Sequence, residues 1–592
     1  YGTILPLFPS VLIGGLPLRG GSLDEYAKPP EPRVRDHIAA LRLGDRLRGP
    51  RGPGRADNQV AAAEATVTGD PIDVVTGRVL LSTVDAHLPG PLPIVATRHY
   101  SSAWSRRDLG LGHGWSLSLD QALWSEPGQI VVRVADGREL TFPIADDAER
   151  HHDPREGLTL VRRPGGAWDL VDRHGTLHRF APTASLDRPE ADRCALVEIA
   201  DASTDHRLHF HHDPAGRLVE VRADGGRALR LRWDPRGHLL GLDLPDPERD
   251  ATFVPHRAYV IDERDDLTAI TDALGGATRL AYHHHRLIRS AEPASPAYHF
   301  EYEGDGHDAR CVRAHGDGDL LPRSLTYDRD HGRTVVLEGD GGVTTYEYGE
   351  HLRVVAVTDA AGGRTTFEYD PLGRLAAVTD PLGQRARHRH DDLGRTLEVI
   401  APDGATTRYE YAHHDAPIAA TCPLGGRWTW RRDPFGRVVE TIDPLGRLTR
   451  VARDRGLITR VDAADGTATE LLHDEHGDLV RARLASGACL AWSHDRRGRL
   501  RVAIDARGNP RHFHHDLEGR LVRIDEPDGN TRTFEHDPAD RLIRARDRHR
   551  DLELTWSGPG WLASRSEGGR TTTYERDREG RVQVVFDPSV PG

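Results

Sequence analysis

Phe367-Glu368-Tyr369-Asp370-Pro371-Leu372-Gly373-Arg374-Leu375, followed by Val378-Thr379-Asp380-Pro381-Leu382-Gly383, decides how this chain is read. The Asp-Pro-x-Gly box returns as Asp433-Pro434-Phe435-Gly436-Arg437 and Asp443-Pro444-Leu445-Gly446-Arg447. In such a box the Asp carboxylate bonds backbone just downstream, Pro presets φ, and Gly accepts the exit geometry. The flanks are short, rich in Thr, Tyr, Phe, Val, Ile and Leu, and partly alternate with period two, as strands do. One unit is therefore strand, turn, strand, turn. The turn residues Asp370, Pro371, Gly373, Arg374, Asp380, Pro381, Gly383, Asp433, Pro434, Gly436, Asp443, Pro444 and Gly446 carry this expectation.

The opening aspartates fall at Asp370, Asp391, Asp433, Asp454, Asp474, Asp495, Asp516, Asp537 and Asp577, in steps of 20 or 21 residues or twice that. The empty slots lie near Ala412 and Ser557. An earlier pair, Asp213 and Asp234, is again 21 apart. So regular a period signals a repeat architecture. The shared core, (Tyr/His/Phe)-Asp-x-x-Gly-Arg-Leu, resembles the YD repeats of the Rhs family. A second phrase, Gly69-Asp70-Pro71-Ile72-Asp73-Val74-Val75-Thr76-Gly77-Arg78, precedes Thr97-Arg98-His99-Tyr100 and Leu109-Gly110-Leu111-Gly112-His113-Gly114-Trp115. These phrases, in this order, resemble the domain that opens Rhs and related polymorphic-toxin proteins.

Composition fits a large single-layer sheet. Only 37% of the 592 residues are hydrophobic and 6% aromatic, which suits a wall that is polar on both faces. Net charge is −13, Lys28 is the one lysine, and signs alternate along the repeats. That is a solvated surface rather than a phosphate-binding stripe, so no nucleic-acid partner is expected for the shell. Cys194, Cys311, Cys422 and Cys489 are too scattered for a zinc motif or a disulfide framework, and read as isolated, mostly buried thiols.

In chain order, 1–27 is an apolar segment interrupted by prolines, too short for a membrane span and without the marks of a signal peptide. Its Pro9-Ser10-Val11-Leu12-Ile13-Gly14-Gly15-Leu16-Pro17 looks like the last strands of a PAAR-type spike tip; a plug-like strand pair is the alternative. Residues 28–65 form a Pro/Gly/Arg-rich linker with a short helix expected over 33–47. Residues 66–205 form the opening β domain and 206–592 the repeat shell. The absence of methionine and the first residue, Tyr1, fit a chain that begins inside a longer product.

The 34 histidines have a plain origin. His212, His390, His473, His494, His515 and His536 occupy the slot that Tyr369 fills before its aspartate. They read as strand-end rings; a metal site is the alternative, because imidazoles recur. Asp317-Gly318-Asp319 and Gly339-Asp340-Gly341 lack the twelve-residue calcium loop. Gly110-Leu111-Gly112-His113-Gly114 is no dinucleotide fingerprint, and no catalytic motif occurs. No catalytic, cofactor-binding or metal residue is assigned, no cofactor is expected, and the shell itself is expected to be no enzyme.

Hairpins joined edge to edge with a steady twist coil into one long spiralling antiparallel sheet, so the fold is all-β. The resemblance implies closure into a hollow, cocoon-like shell that encloses a C-terminal toxin and is delivered by type VI secretion. It also implies a VgrG-like spike protein, a chaperone and an immunity protein as partners, with residence in the bacterial cytoplasm before export. The self-cleaving core motif of the family is not found before Gly592, so no cleavage residue is transferred. The alternatives are a YD-repeat surface adhesion or carbohydrate-binding protein, and the shell component of an insecticidal toxin complex.

Overall fold

A computed structural model describes residues 66–68, 71–143, 149–153, 156–173, 175–182, 193–201, 206–306, 308–349, 352–371, 373–412 and 416–586. The apolar segment at 1–27, the linker and the helix expected over 33–47 lie outside the described residues. Those described hold 49 strands and two single 3-10 turns, Ser102–Trp104 and Pro164–Gly166, with no α-helix. None therefore has a helix long and apolar enough to cross a membrane.

The opening phrase forms two small sheets. β1 (Val67–Thr68) pairs with β2 (Ile72–Asp73), and β3 (Leu80–Leu88), β4 (Ile94–Ser101) and β5 (Trp115–Leu117) make an antiparallel three-stranded sheet. Everything from β6 (Ala122–Glu126) to β49 (Val582–Phe586) belongs to one sheet of 44 strands. It crosses residues 205 and 206 without a break, because β13 (Cys194–Asp201) pairs with β14 (His206–His212). Closure comes at β13. Its first residues, Cys194 and Ala195, pair with Leu123 and Ala122 of β6, whereas Glu198–Asp201 pair with β14. Strands β6 to β13 thus form a ring, and the rest of the sheet departs from it.

Loops in an antiparallel hairpin ladder alternate between two rims. The Asp-x-x-Gly-Arg boxes after Tyr369, His390 and His515 lie on one, the box rim. The intervening turns, such as those at Asp359, Asp380 and Asp443, lie on the other, the return rim. Asp370 and Asp433 therefore sit on the opposite rim from Asp380 and Asp443. The sheet winds so that the box rim of a later coil meets the return rim of an earlier one, with contacting residues 239 to 269 positions apart. Twenty-three strands separate Gly226 from Gly477 across this contact. At about 4.8 Å per strand they make a circumference of about 110 Å, or about 35 Å across when drawn as a circle. Facing sheets pack about 10 Å apart, so side chains alone do not fill such a coil.

The two faces differ in kind, which corrects the expectation of a wall polar on both sides. One face carries exposed ion-pair ladders: Glu398 lies between Arg389 and Arg408, Glu440 between Arg431 and Arg450. The other is apolar. Leu471, Ala482, Leu490, Trp492 and Ala503 form one buried cluster, and Ile524, Phe534, Ala545, Leu552 and Leu554 another. The alanines Ala482, Ala503 and Ala545 are buried because large neighbours on adjacent strands close over them. The largest cluster joins this face of the first coil to the opening sheets, from Ile72 and Tyr100 to Leu325 and Val336. Of the four thiols, none in a disulfide, Cys194 and Cys311 are buried, Cys422 is half-buried and Cys489 is exposed.

Because each hairpin leans mainly on its neighbours, damage to the apolar face stays local. Phe534→Ala is expected to cost about 3 kcal/mol. Amide hydrogen exchange should quicken across 521–554 and stay unchanged across 213–270; uniform quickening would contradict the scheme.

Candidate functional site: the repeat boxes and the inter-coil seam

Each box is a tight turn with a side-chain clamp. In the box at Asp370 the Gly373 amide donates to Asp370 O (2.7 Å) and the Asp370 amide to Arg374 O (2.8 Å). Gly373 has φ +75°, and the ladder slips by one residue between Glu368 and Tyr369. This is a tight turn closed by a glycine bulge, and the left-handed position is why Gly stands there. Asp370 Oδ1 accepts the Arg374 amide (2.9 Å) and Oδ2 accepts Arg374 Nε (2.5 Å). The same pair recurs at Asp391–Arg395, Asp433–Arg437, Asp495–Arg499, Asp516–Arg520 and Asp537–Arg541.

The arginine also reaches forward. Arg217 Nη1 donates to Asp234 O (2.9 Å), Arg395 Nη1 to Ala412 O (2.9 Å) and Arg520 Nη1 to Asp537 O (3.1 Å). Arg374 likewise bonds Asp391 O. The ring before the aspartate reaches back. Tyr369 OH donates to Val354 O (2.7 Å), Tyr411 OH to Thr396 O (2.8 Å) and Trp556 Nε1 to Leu542 O (2.8 Å). Boxes with these bonds are tied to a neighbouring box, and the 20- or 21-residue period is the length of that link.

The return-rim turns are looser. Asp380 Oδ1 accepts the Leu382 and Gln384 amides (2.9 and 2.8 Å), and Gly383 has φ +79°. Asp443 binds Arg447 Nε (2.6 Å), yet Arg447 is mostly exposed. Pro371, Pro381, Pro434 and Pro444 take the second turn position, and Gly436 and Gly446 are left-handed. Leu382, Leu424 and Leu445 point into solvent at the tips.

Where coils meet, box-rim residues at the variable positions and at the fifth position contact the return rim of the earlier coil. Arg227 forms a buried pair with Asp478 and also donates to Pro89 O (2.8 Å). Arg497 Nε donates to Pro245 O (2.8 Å), and Glu518 Oε1 accepts Arg257 Nη1 (2.6 Å) and the Ala273 amide (2.7 Å). Arg541 donates to Ala294 O (3.0 Å), Glu579 accepts Arg323 Nη1 (2.9 Å), and Arg581 Nη1 donates to Asp340 (2.9 Å). These seam residues are absent from the sequence expectations. A signal exists: boxes near 370–446 carry Leu or Phe at the tip, whereas those at 474–581 carry Arg496-Arg497, Glu518 or Arg578-Glu579.

Histidines in the Tyr slot have a common electrostatic state. Burial lowers the pKa values of His212, His390, His473, His515 and His536 below the ordinary imidazole value. At the seam, His256 is held down to about 4, first by burial and then by Arg257.

The comparisons agree with this geometry. Residues 69–142 match a family described as a domain of unknown function (DUF6531), and residues 350–385 and 515–550 match the family RHS Repeat. These matches support an Rhs/YD-repeat polymorphic toxin family for the repeat region. It is 31% identical over 217 residues to double-stranded DNA deaminase toxin A of Burkholderia cenocepacia, covering 36% of this chain and 14% of that protein. It is 27% identical over 298 residues to probable deoxyribonuclease RhsB of Dickeya dadantii, covering 48% of this chain and 19% of that one. The chain thus spans less than a quarter of the curated relatives' length. Among solved structures, TcdB2-TccC3 without its hypervariable C-terminal region aligns at 11% identity and TM-score 0.41, over 86% of this chain and 34% of that one.

Two outcomes follow from the seam and the slot histidines. Asp478→Ala leaves Arg227 buried without its carboxylate and is expected to cost about 3 kcal/mol. Faster amide exchange at 225–227 and 475–478, with exchange at 364–400 unchanged, is the readout. The slot histidines bind protons less readily folded than unfolded, so their stability contribution is complete above pH 6.5 and falls as pH drops through their lowered values. Thermal midpoints should decline between about pH 7 and pH 5. His390→Tyr with His515→Tyr should flatten that decline; an unchanged slope would refute the assignment.

Proposed function

We propose that this chain is the encapsulating shell of a bacterial Rhs polymorphic toxin, holding a C-terminal toxin domain until delivery. The observation that carries the reading is a coil about 35 Å across, sealed rim to rim by buried ion pairs and lined on one face by aromatic and aliphatic side chains. Such a wall can keep a foreign polypeptide from solvent and from proteases. The ring of β6 to β13 and the opening sheets close one end of the first coil. Within this reading the shell residues do no chemistry, and activity belongs to the cargo. Delivery through type VI secretion, with a VgrG-like spike, a chaperone and an immunity protein as partners and a cytoplasmic stage before export, is part of the same proposal.

The full gene product, purified natively and then denatured, gives the test. A separate C-terminal polypeptide that stays with the shell until denaturation, and resists protease while there, is expected. Glu518→Ala combined with Asp478→Ala opens the seam and should expose it to cleavage. A single intact chain, digested at the same rate with or without those substitutions, would overturn the proposal and favour the adhesion reading.

A further inference from the structure

Two consecutive boxes depart from the repeat at the positions that matter most. A regular box has Gly fourth and Arg fifth, as in Asp213-Pro214-Ala215-Gly216-Arg217. The next is Asp234-Pro235-Arg236-Gly237-His238, and the one after is Asp262-Glu263-Arg264-Asp265-Asp266. Asp265 therefore holds φ +60° where the repeat uses glycine, at a cost of about 1 kcal/mol. Both boxes face one loop of the opening domain. A Cβ on Gly110 would lie 2.7 Å from Gly237 O, and one on Gly112 would lie 2.7 Å from the Leu267 amide nitrogen. That close approach brings Asp108, whose Oδ1 accepts the Gly110 and Gly112 amides (2.8 and 3.0 Å), up to the substituted residues.

The result is a group of three donors, from Asp108, His238 and Asp265, whose ligand atoms all lie within 4.8 Å of one another. His238 is only 7% exposed. Its Nδ1 lies 3.3 Å from Asp234 Oδ2 and its Nε2 3.2 Å from Asp265 Oδ1. Two carboxylates thus flank the buried ring, Asp234 beside Nδ1 and Asp265 beside Nε2. A carboxylate that fixes the tautomer from behind, with the other nitrogen facing further donors, is how a metal-binding histidine is oriented. Arg236, more than half exposed, donates to Asp265 Oδ1 (2.8 Å) and meets part of the negative charge. On the same opening loop, His113 has a buried Nδ1 with no hydrogen-bond partner.

We propose that Asp108, His238 and Asp265 bind a divalent cation of the zinc or manganese class, clamping the opening domain onto the first coil. One imidazole nitrogen and two carboxylate oxygens are a donor set for these ions rather than for calcium, which takes six to eight oxygens. The cation converts three mutually repelling lone pairs into ligands.

The repeat itself supplies the control substitutions. Asp265→Gly and His238→Arg restore the regular box, so both are expected to fold, and the first to melt no lower than the parent when metal is stripped. The exposed grouping of His283, His284 and Asp305 would take the same ions. Titrations of the full chain are therefore run in a His284→Asn background. After treatment with chelator, calorimetry with Zn²⁺ and with Mn²⁺ should give one saturable site for at least one of them, with a matching rise in melting temperature. Each restoring substitution should weaken binding at least about tenfold and abolish the rise. Absence of a saturable site, or equal binding by parent and restored variants, would overturn the proposal.

Discussion

The forked bond of the box arginine is the interaction on which the rest depends. Its Nε holds the aspartate of its own turn and its Nη1 the carbonyl of the next box. Lysine, whose donors all radiate from one nitrogen, lacks the planar fork that spans both acceptors. Because these bonds run along the rim, they set the spacing of hairpins independently of the ladder hydrogen bonds. A Tyr or Trp before the aspartate does the same in the other direction, so such a box is defined by its neighbours as much as by its own turn.

Repetition of that unit leaves a sheet with rims made of turns rather than of bare strand edges. Coils therefore meet through side chains and isolated carbonyls, and the seam can be written into two variable residues per box without disturbing the turn. On the return rim the tips at Leu382, Leu424 and Leu445 are exposed. On the box rim within the seam the tips carry Arg497, Glu518 and Glu579, paired with groups of the earlier coil.

The repeat and its strands were legible in the sequence because the period is carried by residues with a mechanical role: Asp, Gly, Arg and the preceding ring. Less legible was the difference between the faces. Alanines such as Ala482 and Ala545 sit at apolar-face positions, and their small size hides the alternation that larger residues would show. The two rims were also merged, since Asp380 and Asp443 share the Asp-Pro-Leu-Gly spelling of Asp370. Closure of the ring rests on two residue pairs at Cys194 and Ala195, too brief to leave a pattern. The donor group at His238 could have been seen as two breaks in an otherwise regular box, at Arg and at Gly.

The distance along the chain between partners at the seam has a bearing on how the protein is made. Arg227 and Asp478 are 251 residues apart, so a second coil has nothing to lie against until the first is in place. At a synthesis rate of about 5–20 residues per second, the first coil is exposed for about 10–50 seconds before its partner emerges. The early hairpins must therefore hold their shape through local clamps and their packing on the opening sheets, then serve as the template on which the later ones are laid.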